Sequence, residues 1–255
     1  DAAWIFHGYT PGRFVTTKLI EIPGLEGDSA AASAAHWRAH EKVLGAAEEH
    51  DGIVPVAMMV HAPGMLHLSS EISSLDDVAG LKIRSGGGVM GDVLAGLDMA
   101  GVQVSAPKVY ETVANGVADG TFFPGDTIAI LRLTEVLPYT YRVPGGFYRG
   151  SFSIVMSEEF LDDVGEDDAA AIKAALGEDF SAFAGQAWDE GNARGLEAQA
   201  STGQVIDLDG EAAAKFDALV PGIQSAVLEE VNAAGVDANA ALEIIRSTMA
   251  EYDAQ

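Results

Sequence analysis

The segment Gly80-Leu81-Lys82-Ile83-Arg84-Ser85-Gly86-Gly87-Gly88 places an arginine at the end of a short apolar run and follows it with three glycines. Read as a strand, the run delivers Arg84 to the carboxyl end of a sheet, where open α/β sheets bind their ligands. A guanidinium stays charged and offers a planar fork that holds a carboxylate through two parallel hydrogen bonds. Glycine-exposed amides and the positive end of a following helix would add to the potential. The local chemistry is anion capture; the competing reading of Arg84 is a structural ion pair with one of the chain's many acids.

Other spacings compete with this one. Gly86 through Gly91 fits the dinucleotide spacing GxGxxG, and with it a nucleotide-dependent oxidoreductase. That motif needs an acidic residue ending the next strand to hold a ribose, whereas Val102-Gln103-Val104-Ser105-Ala106-Pro107 has none, so a tight turn is the simpler reading. His36 and His40 stand one helical turn apart and could chelate a metal, but no HExxH pattern or nearby third ligand accompanies them. A solvated helix face is expected there, and no metal or cofactor. Asp207-Leu208-Asp209-Gly210 opens like a calcium loop without the glutamate at its twelfth position, so a turn with a helix cap is expected. No GxSxG elbow, P-loop or cysteine occurs, which removes the usual serine, nucleotide-hydrolysing and thiolate chemistries.

The elements that must position Arg84 alternate along the first two thirds of the chain. Ala3–Phe6, Ile53–Val60, Leu81–Arg84, Val102–Ser105, Tyr139–Val143, Phe152–Met156 and Gln204–Leu208 read as strands. Helices are expected from an Asp28 or Ser29 cap to about His50, then over Val89–Met99, Lys108–Asn115 and Thr127–Glu135. From Glu166 the chain is almost wholly helical, with one run to about Ser201, long enough to bridge two lobes, and further helices across Glu211–Gln255. The alternation is the α/β signature. With 39 acids against 14 lysines and arginines, the net charge of −25 argues against nucleic acid and against anionic membranes as partners. No apolar run reaches the ~18 residues that span a bilayer, and Asp1-Ala2-Ala3-Trp4 is no basic, apolar leader. A soluble protein whose export signal is already gone is expected.

Longer stretches carry a family resemblance. Ser74-Leu75-Asp76-Asp77-Val78-Ala79-Gly80-Leu81-Lys82-Ile83-Arg84, followed by Pro107-Lys108-Val109-Tyr110-Glu111-Thr112-Val113-Ala114-Asn115-Gly116-Val117-Ala118-Asp119-Gly120, resembles the pattern of the solute receptors of tripartite ATP-independent periplasmic (TRAP) transporters. Glu135-Val136-Leu137 and Tyr9-Thr10-Pro11-Gly12-Arg13-Phe14 extend the similarity. The resemblance implies two α/β lobes that clamp a ligand, a long helix across both, a periplasmic location, and delivery of a small organic acid anion to membrane transporter subunits. It implies that Arg84 holds the ligand carboxylate. It also implies that Phe123, four residues beyond Asp119, faces the ligand beside Phe122. Phenylalanine there points away from a sugar acid and toward a smaller or more apolar one. Members of the family usually carry a strand, helix and strand before the point where Asp1 falls, so the first lobe is expected to lack them.

The expected division is 1–61 with 150–190 in the first lobe and 62–149 with 191–255 in the second, in a monomer. Further candidate ligand-binding residues are Trp4, Phe6, His7 and Tyr9 at a strand end, His61 at the crossing, Arg149 as a second cation, and Trp188 and Asp189 on the long helix. An aromatic cluster packed in the core is the competing reading of the first group. Two other functions share this frame: an enzyme acting on a carboxylate with His7 or His61 as base, and a sensor domain that passes the signal to another protein.

Overall fold

The computed structural model describes residues 1–254. The chain opens with β1 (Ala2–Phe6) and two 3-10 turns over His7–Tyr9 and Thr16–Ile20, then enters α1 (Ser29–Lys42). Asp28 is the cap of α1, its Oδ1 accepting from Ala31 N at 2.7 Å, which satisfies one of the helix's orphan amides. Next come β2 (Ile53–Val60), β3 (Met65–Leu68), β4 (Lys82–Ser85), α2 (Met90–Gly96), β5 (Ala100–Gln103), α3 (Val109–Ala114), β6 (Gly120–Phe123), α4 (Gly125–Ile130) and β7 (Tyr139–Arg142). The remainder is β8 (Ser151–Ser157), α5 (Glu158–Asp163), α6 (Glu166–Ala175), α7 (Gly177–Thr202), β9 (Gln204–Asp207), α8 (Gly210–Asp217), α9 (Val220–Ala233) and α10 (Ala238–Asp253).

These strands form two sheets, and the sheets define two lobes. One is three-stranded and antiparallel, in the order β1-β8-β2; the other is six-stranded and mixed, in the order β5-β4-β6-β3-β7-β9. In the second, β4 runs parallel to both β5 and β6, which fixes the direction in which Arg84 leaves the sheet. The chain crosses between sheets over residues 61–64, after β2, and returns over residues 143–150, before β8. The two crossings run side by side and hydrogen-bond: His61 N donates to Gly150 O at 3.2 Å, Gly64 N to Tyr148 O at 2.8 Å and Phe147 N to Gly64 O at 2.9 Å.

Helix α7, 26 residues and about 39 Å long at 1.5 Å per residue, bridges the lobes. At one end it packs on α1 and β2, where a Cβ on Gly185 would sit 2.1 Å from Ser29 O; only glycine admits that approach. At the other end Asn192 Oδ1 accepts from Gly125 N at 2.7 Å, and Gln199 Nε2 donates to Leu137 O at 3.0 Å. The C-terminal helix α10 lies against α1. Among the described residues no helix is long and apolar enough to cross a membrane.

Several expected boundaries move, each for a packing reason. The first helix stops at Lys42 instead of about His50, because Val43 leaves helical geometry and the turn over Leu44–Ala47 buries Leu44. The run expected from Glu166 to Ser201 divides at Leu176, where the backbone leaves helical geometry at φ −105° and ψ −137°, into α6 and α7. The strand expected over Val102–Ser105 begins at Ala100, in register with Lys82. Strands β3 and β6 were not anticipated: each has four residues, all buried, so neither shows the alternation that marks a half-exposed strand. The last residue of the expected C-terminal helices, Gln255, lies outside the described residues.

Candidate functional site

Arg84 is the third residue of β4, and its side chain is 1 % exposed. Its Nε donates to Val104 O at 2.8 Å and its Nη2 reaches Tyr9 Oη at 3.4 Å. The guanidinium carbon stands 4.5 Å from the centroid of the Phe123 ring, in cation–π contact. Tyr9 Oη also accepts from Ala106 N at 2.7 Å. With its oxygen receiving two N–H groups, the tyrosine hydroxyl hydrogen is left to donate. Among the described residues no carboxylate comes within 4.0 Å of Arg84, so the structural ion pair does not form. Burial pushes its pKa down, and only the Tyr9 and Tyr148 oxygens pull the other way. A buried cation without a counterion costs several kcal/mol, and an incoming anion offsets that cost.

Arg84 lines a cavity of about 620 Å³ between the sheets. The first lobe contributes Trp4, Phe6, Tyr9 and Phe152, and α7 contributes Trp188. Phe6 pairs with Phe152 across the strands; Trp4 stacks on Phe152 at 4.9 Å and 8°, and Trp188 tilts against Phe152 at 4.9 Å. The second lobe contributes Phe123, Pro107, Asp126 and Ile130, and the crossings supply His61 and Tyr148. Trp4 and Ile130, 60 % and 74 % exposed, stand at the mouth. His61 Nδ1 lies 2.6 Å from Ala62 O, its ring meets Tyr148 edge-on at 5.2 Å, and burial pushes its pKa down to about 4. It is a neutral wall residue.

Seven expected residues, Trp4, Phe6, Tyr9, His61, Arg84, Phe123 and Trp188, therefore meet at one cavity. Four others do not line it. Phe122 packs against Phe147 at 5.2 Å, because adjacent residues of β6 point to opposite faces and Phe123 takes the cleft side. His7 is buried behind the wall, with Nδ1 2.9 Å from Ser151 Oγ and Nε2 3.0 Å from Ser153 Oγ. Those serines flank Phe152 on the strand and face away from it. Arg149 is buried and donates to Gly27 O; burial brings its pKa down to about 10 against the pull of Asp189, Asp28 and Asp253. Asp189 secures the start of α1, accepting from Ser29 N at 2.9 Å, from Ser29 Oγ, and from Ala30 N at 3.3 Å. Phe6, which stands with Trp4 and Tyr9 at the expected strand end, lines the cavity with them; sequence reasoning missed Asp126 and Phe152. The alternation Ser151-Phe152-Ser153 was the available signal for the last.

The glycine turn also differs from expectation. Val89 N donates to Glu21 Oε2 at 3.0 Å, and Ser151 N and Oγ donate to Glu21 Oε1 at 3.1 and 2.6 Å. Gly88 adopts φ +64°, and a Cβ there would fall 2.1 Å from Glu21 Oε2. The protein's own buried carboxylate thus occupies the place a ligand anion or a pyrophosphate would need. Glu21 ties the turn after Arg84 to Ser151, the first residue of β8. The expected solvated face of His36 is likewise absent: His36 is wholly buried, its ring 5.9 Å from His7, and burial brings its pKa down to about 3. Among the described residues no group of three or more histidines and acids is arranged to hold a metal.

Comparison with known proteins bears on this arrangement. A Bordetella bronchiseptica TRAP periplasmic solute-binding protein, solved with bound (R)- and (S)-mandelate, is 28 % identical, with a TM-score of 0.94 over 99 % of this chain and 81 % of that one. A marine-metagenome TRAP solute-binding protein specific for aromatic acid ligands, solved with metahydroxyphenylacetate, is 26 % identical, with a TM-score of 0.91 over 99 % and 80 % of the two chains. The Comamonas testosteroni protein named outer membrane transporter protein TsaT is 23 % identical over 253 residues, 98 % of this chain and 75 % of that protein. The model of the bacterial extracellular solute-binding proteins, family 7, matches residues 3–234. Two lobes, a bridging helix and an unpaired arginine facing an aromatic cleft accord with that match: the chain belongs to family 7 of the bacterial extracellular solute-binding proteins and is a TRAP-type solute receptor.

Proposed function

We propose that the chain is a periplasmic receptor that captures an aromatic monocarboxylate between its lobes and hands it to the membrane subunits of a TRAP transporter. One observation carries the reading: Arg84 is buried, without an acidic partner among the described residues, at the end of a cavity walled by aromatic rings. The carboxylate takes the free edge of the guanidinium fork and the Tyr9 hydroxyl hydrogen; the ring lies along Phe6, Phe152 and Phe123. A cavity of about 620 Å³ suits one substituted ring. The relatives solved with mandelate and with metahydroxyphenylacetate support an aromatic acid.

The receptor binds without turnover, as a monomer, and its grip on the carboxylate needs no metal. The lobes close about residues 61–64 and 143–150, where the paired crossings make a narrow hinge. In this reading 1–61 and 150–190 form the first lobe and 62–149 the body of the second; α10, packed on α1, moves with the first.

A thermal-shift panel of phenylacetate, benzoate, mandelate, malonate and a hexuronate tests the proposal. A ligand at a hundred times its Kd stabilises by ~2.7 kcal/mol. The aromatic acids are expected to raise the melting temperature and to be recovered unchanged by mass spectrometry. Stabilisation by malonate or the hexuronate alone, or conversion of a bound acid, would overturn it.

A further inference from the structure

Arg84 is not the only charged residue in the cleft. Asp126, the second residue of α4, lines the same cavity. Its Oδ1 receives a long hydrogen bond from Thr127 Oγ1 at 3.3 Å, and no cation lies within 4.0 Å of it among the described residues. Burial pushes its pKa up, while the Thr127 amide and hydroxyl, its own amide and the Trp188 indole pull back only in part. An ionised carboxylate is acceptor-only, so the ligand group that relieves its burial is a hydrogen-bond donor.

Two features decide which donor. An ammonium would need open aromatic faces to replace its water, but Trp4, Phe152 and Trp188 are packed on one another at 4.9, 4.9 and 6.1 Å and form a wall, not a cage. It would also share the cavity with the Arg84 cation. A second carboxylate, for its part, would meet Asp126 as a like charge. We propose that Asp126 reads a hydroxyl on the ligand, so that the receptor selects hydroxylated aromatic monocarboxylates and refuses aromatic dicarboxylates. This rests on the reading of Arg84 and the aromatic walls as an aryl-acid site.

The test is calorimetric titration of the full chain with phenylacetate, its three ring-hydroxylated forms, mandelate, 3-carboxyphenylacetate and 3-(aminomethyl)phenylacetate. At least one hydroxylated acid is expected to bind tenfold or more tighter than phenylacetate, about 1.4 kcal/mol. Sites built to hold a hydroxyl discriminate strongly against its absence. Asp126→Ala is expected to bring that ratio within threefold of one. Asp126→Asn, which keeps an acceptor and loses the charge, is expected to retain part of the preference and to admit 3-carboxyphenylacetate. Equal binding of all the aromatic acids, a preference that survives Asp126→Ala, or preference for the ammonium acid would overturn the inference. If Asp126→Ala does not fold, the wild-type panel and Asp126→Asn decide it. Failure of wild type to bind phenylacetate and every hydroxylated acid would instead remove the aryl-acid reading on which the inference rests.

Discussion

Replacing Arg84 with alanine separates a ligand-holding arginine from a structural one, because the first role predicts little change in the empty protein and the second predicts its unfolding. With ligand, the substitution removes the partner of a desolvated carboxylate, a loss of ~3–5 kcal/mol. At 1.4 kcal/mol per factor of ten, affinity falls at least a hundredfold. Without ligand, the balance is different. The substitution gives up the Nε bond to Val104 O, the cation–π contact with Phe123, and the long contact with Tyr9 Oη. The first is worth about 1 kcal/mol. The second is worth about 0.5–2 kcal/mol. Against this, a guanidinium with no carboxylate beside it is no longer held out of water. The terms nearly cancel, and the space left opens onto the cavity, where water enters. The empty variant should melt within a few degrees of wild type while calorimetry with the native acid shows the hundredfold loss. Arg84→Lys should recover only part, since a point charge cannot reproduce the fork. Unchanged affinity in Arg84→Ala would place the anion site elsewhere, and an unfolded empty variant would show that Arg84 supports the fold.

Two further substitutions probe residues that act outside the cleft. Glu21 is fully buried, and burial raises its pKa to about 7 despite the donors from Ser151 and Val89. An acid whose folded pKa lies above its unfolded value adds stability that is complete below about 4.5 and is lost as pH rises through 7. The melting-temperature advantage of wild type over Glu21→Gln should therefore shrink between pH 5 and 8; a constant difference would contradict the assignment. Asp189→Ala should cost about 1–2 kcal/mol in melting experiments by unfastening the start of α1, while acid affinity stays within about threefold. A large loss of binding with no loss of stability would return Asp189 to the ligand site.

What could be read from the sequence and what could not divide along a physical line. Arg84 was readable because a strand followed by glycines is a local pattern, and locality fixes which end of the sheet it reaches. Whether it has an acidic partner is decided by which of the chain's 39 acids fold near it, and no local pattern carries that. Residue pattern alone does not separate Phe122 from Phe123, because β6 is buried on both faces; only the family resemblance singles out Phe123. His36 lay on a helix so rich in alanine that no stripe distinguishes its buried face. Alanine is at home on either side. Asp126 follows Pro124-Gly125 and reads as an ordinary helix start; only the fold brings it to the same cavity as Arg84.

The charge balance gives the unpaired arginine its weight. In a chain with nearly three acids per base, a buried cation with no carboxylate near it is the less expected outcome. The other deeply buried arginine, Arg149, also has no carboxylate within 4.0 Å among the described residues, but the fields of Asp189, Asp28 and Asp253 offset part of its burial, and its hydrogen bond goes to the Gly27 carbonyl, away from the cavity. Around Arg84 the fold places Phe123, Tyr9 and Tyr148, and Glu21, the carboxylate seated on the glycine turn, is tied to Val89 and Ser151. A net charge of −25 repels an approaching organic acid at long range. In salt of 0.1 M that repulsion fades beyond about 10 Å, so capture has to be local. The cleft meets this condition by keeping every carboxylate of the described residues more than 4.0 Å from Arg84, Asp126 included, which leaves the guanidinium's close contacts to the ligand.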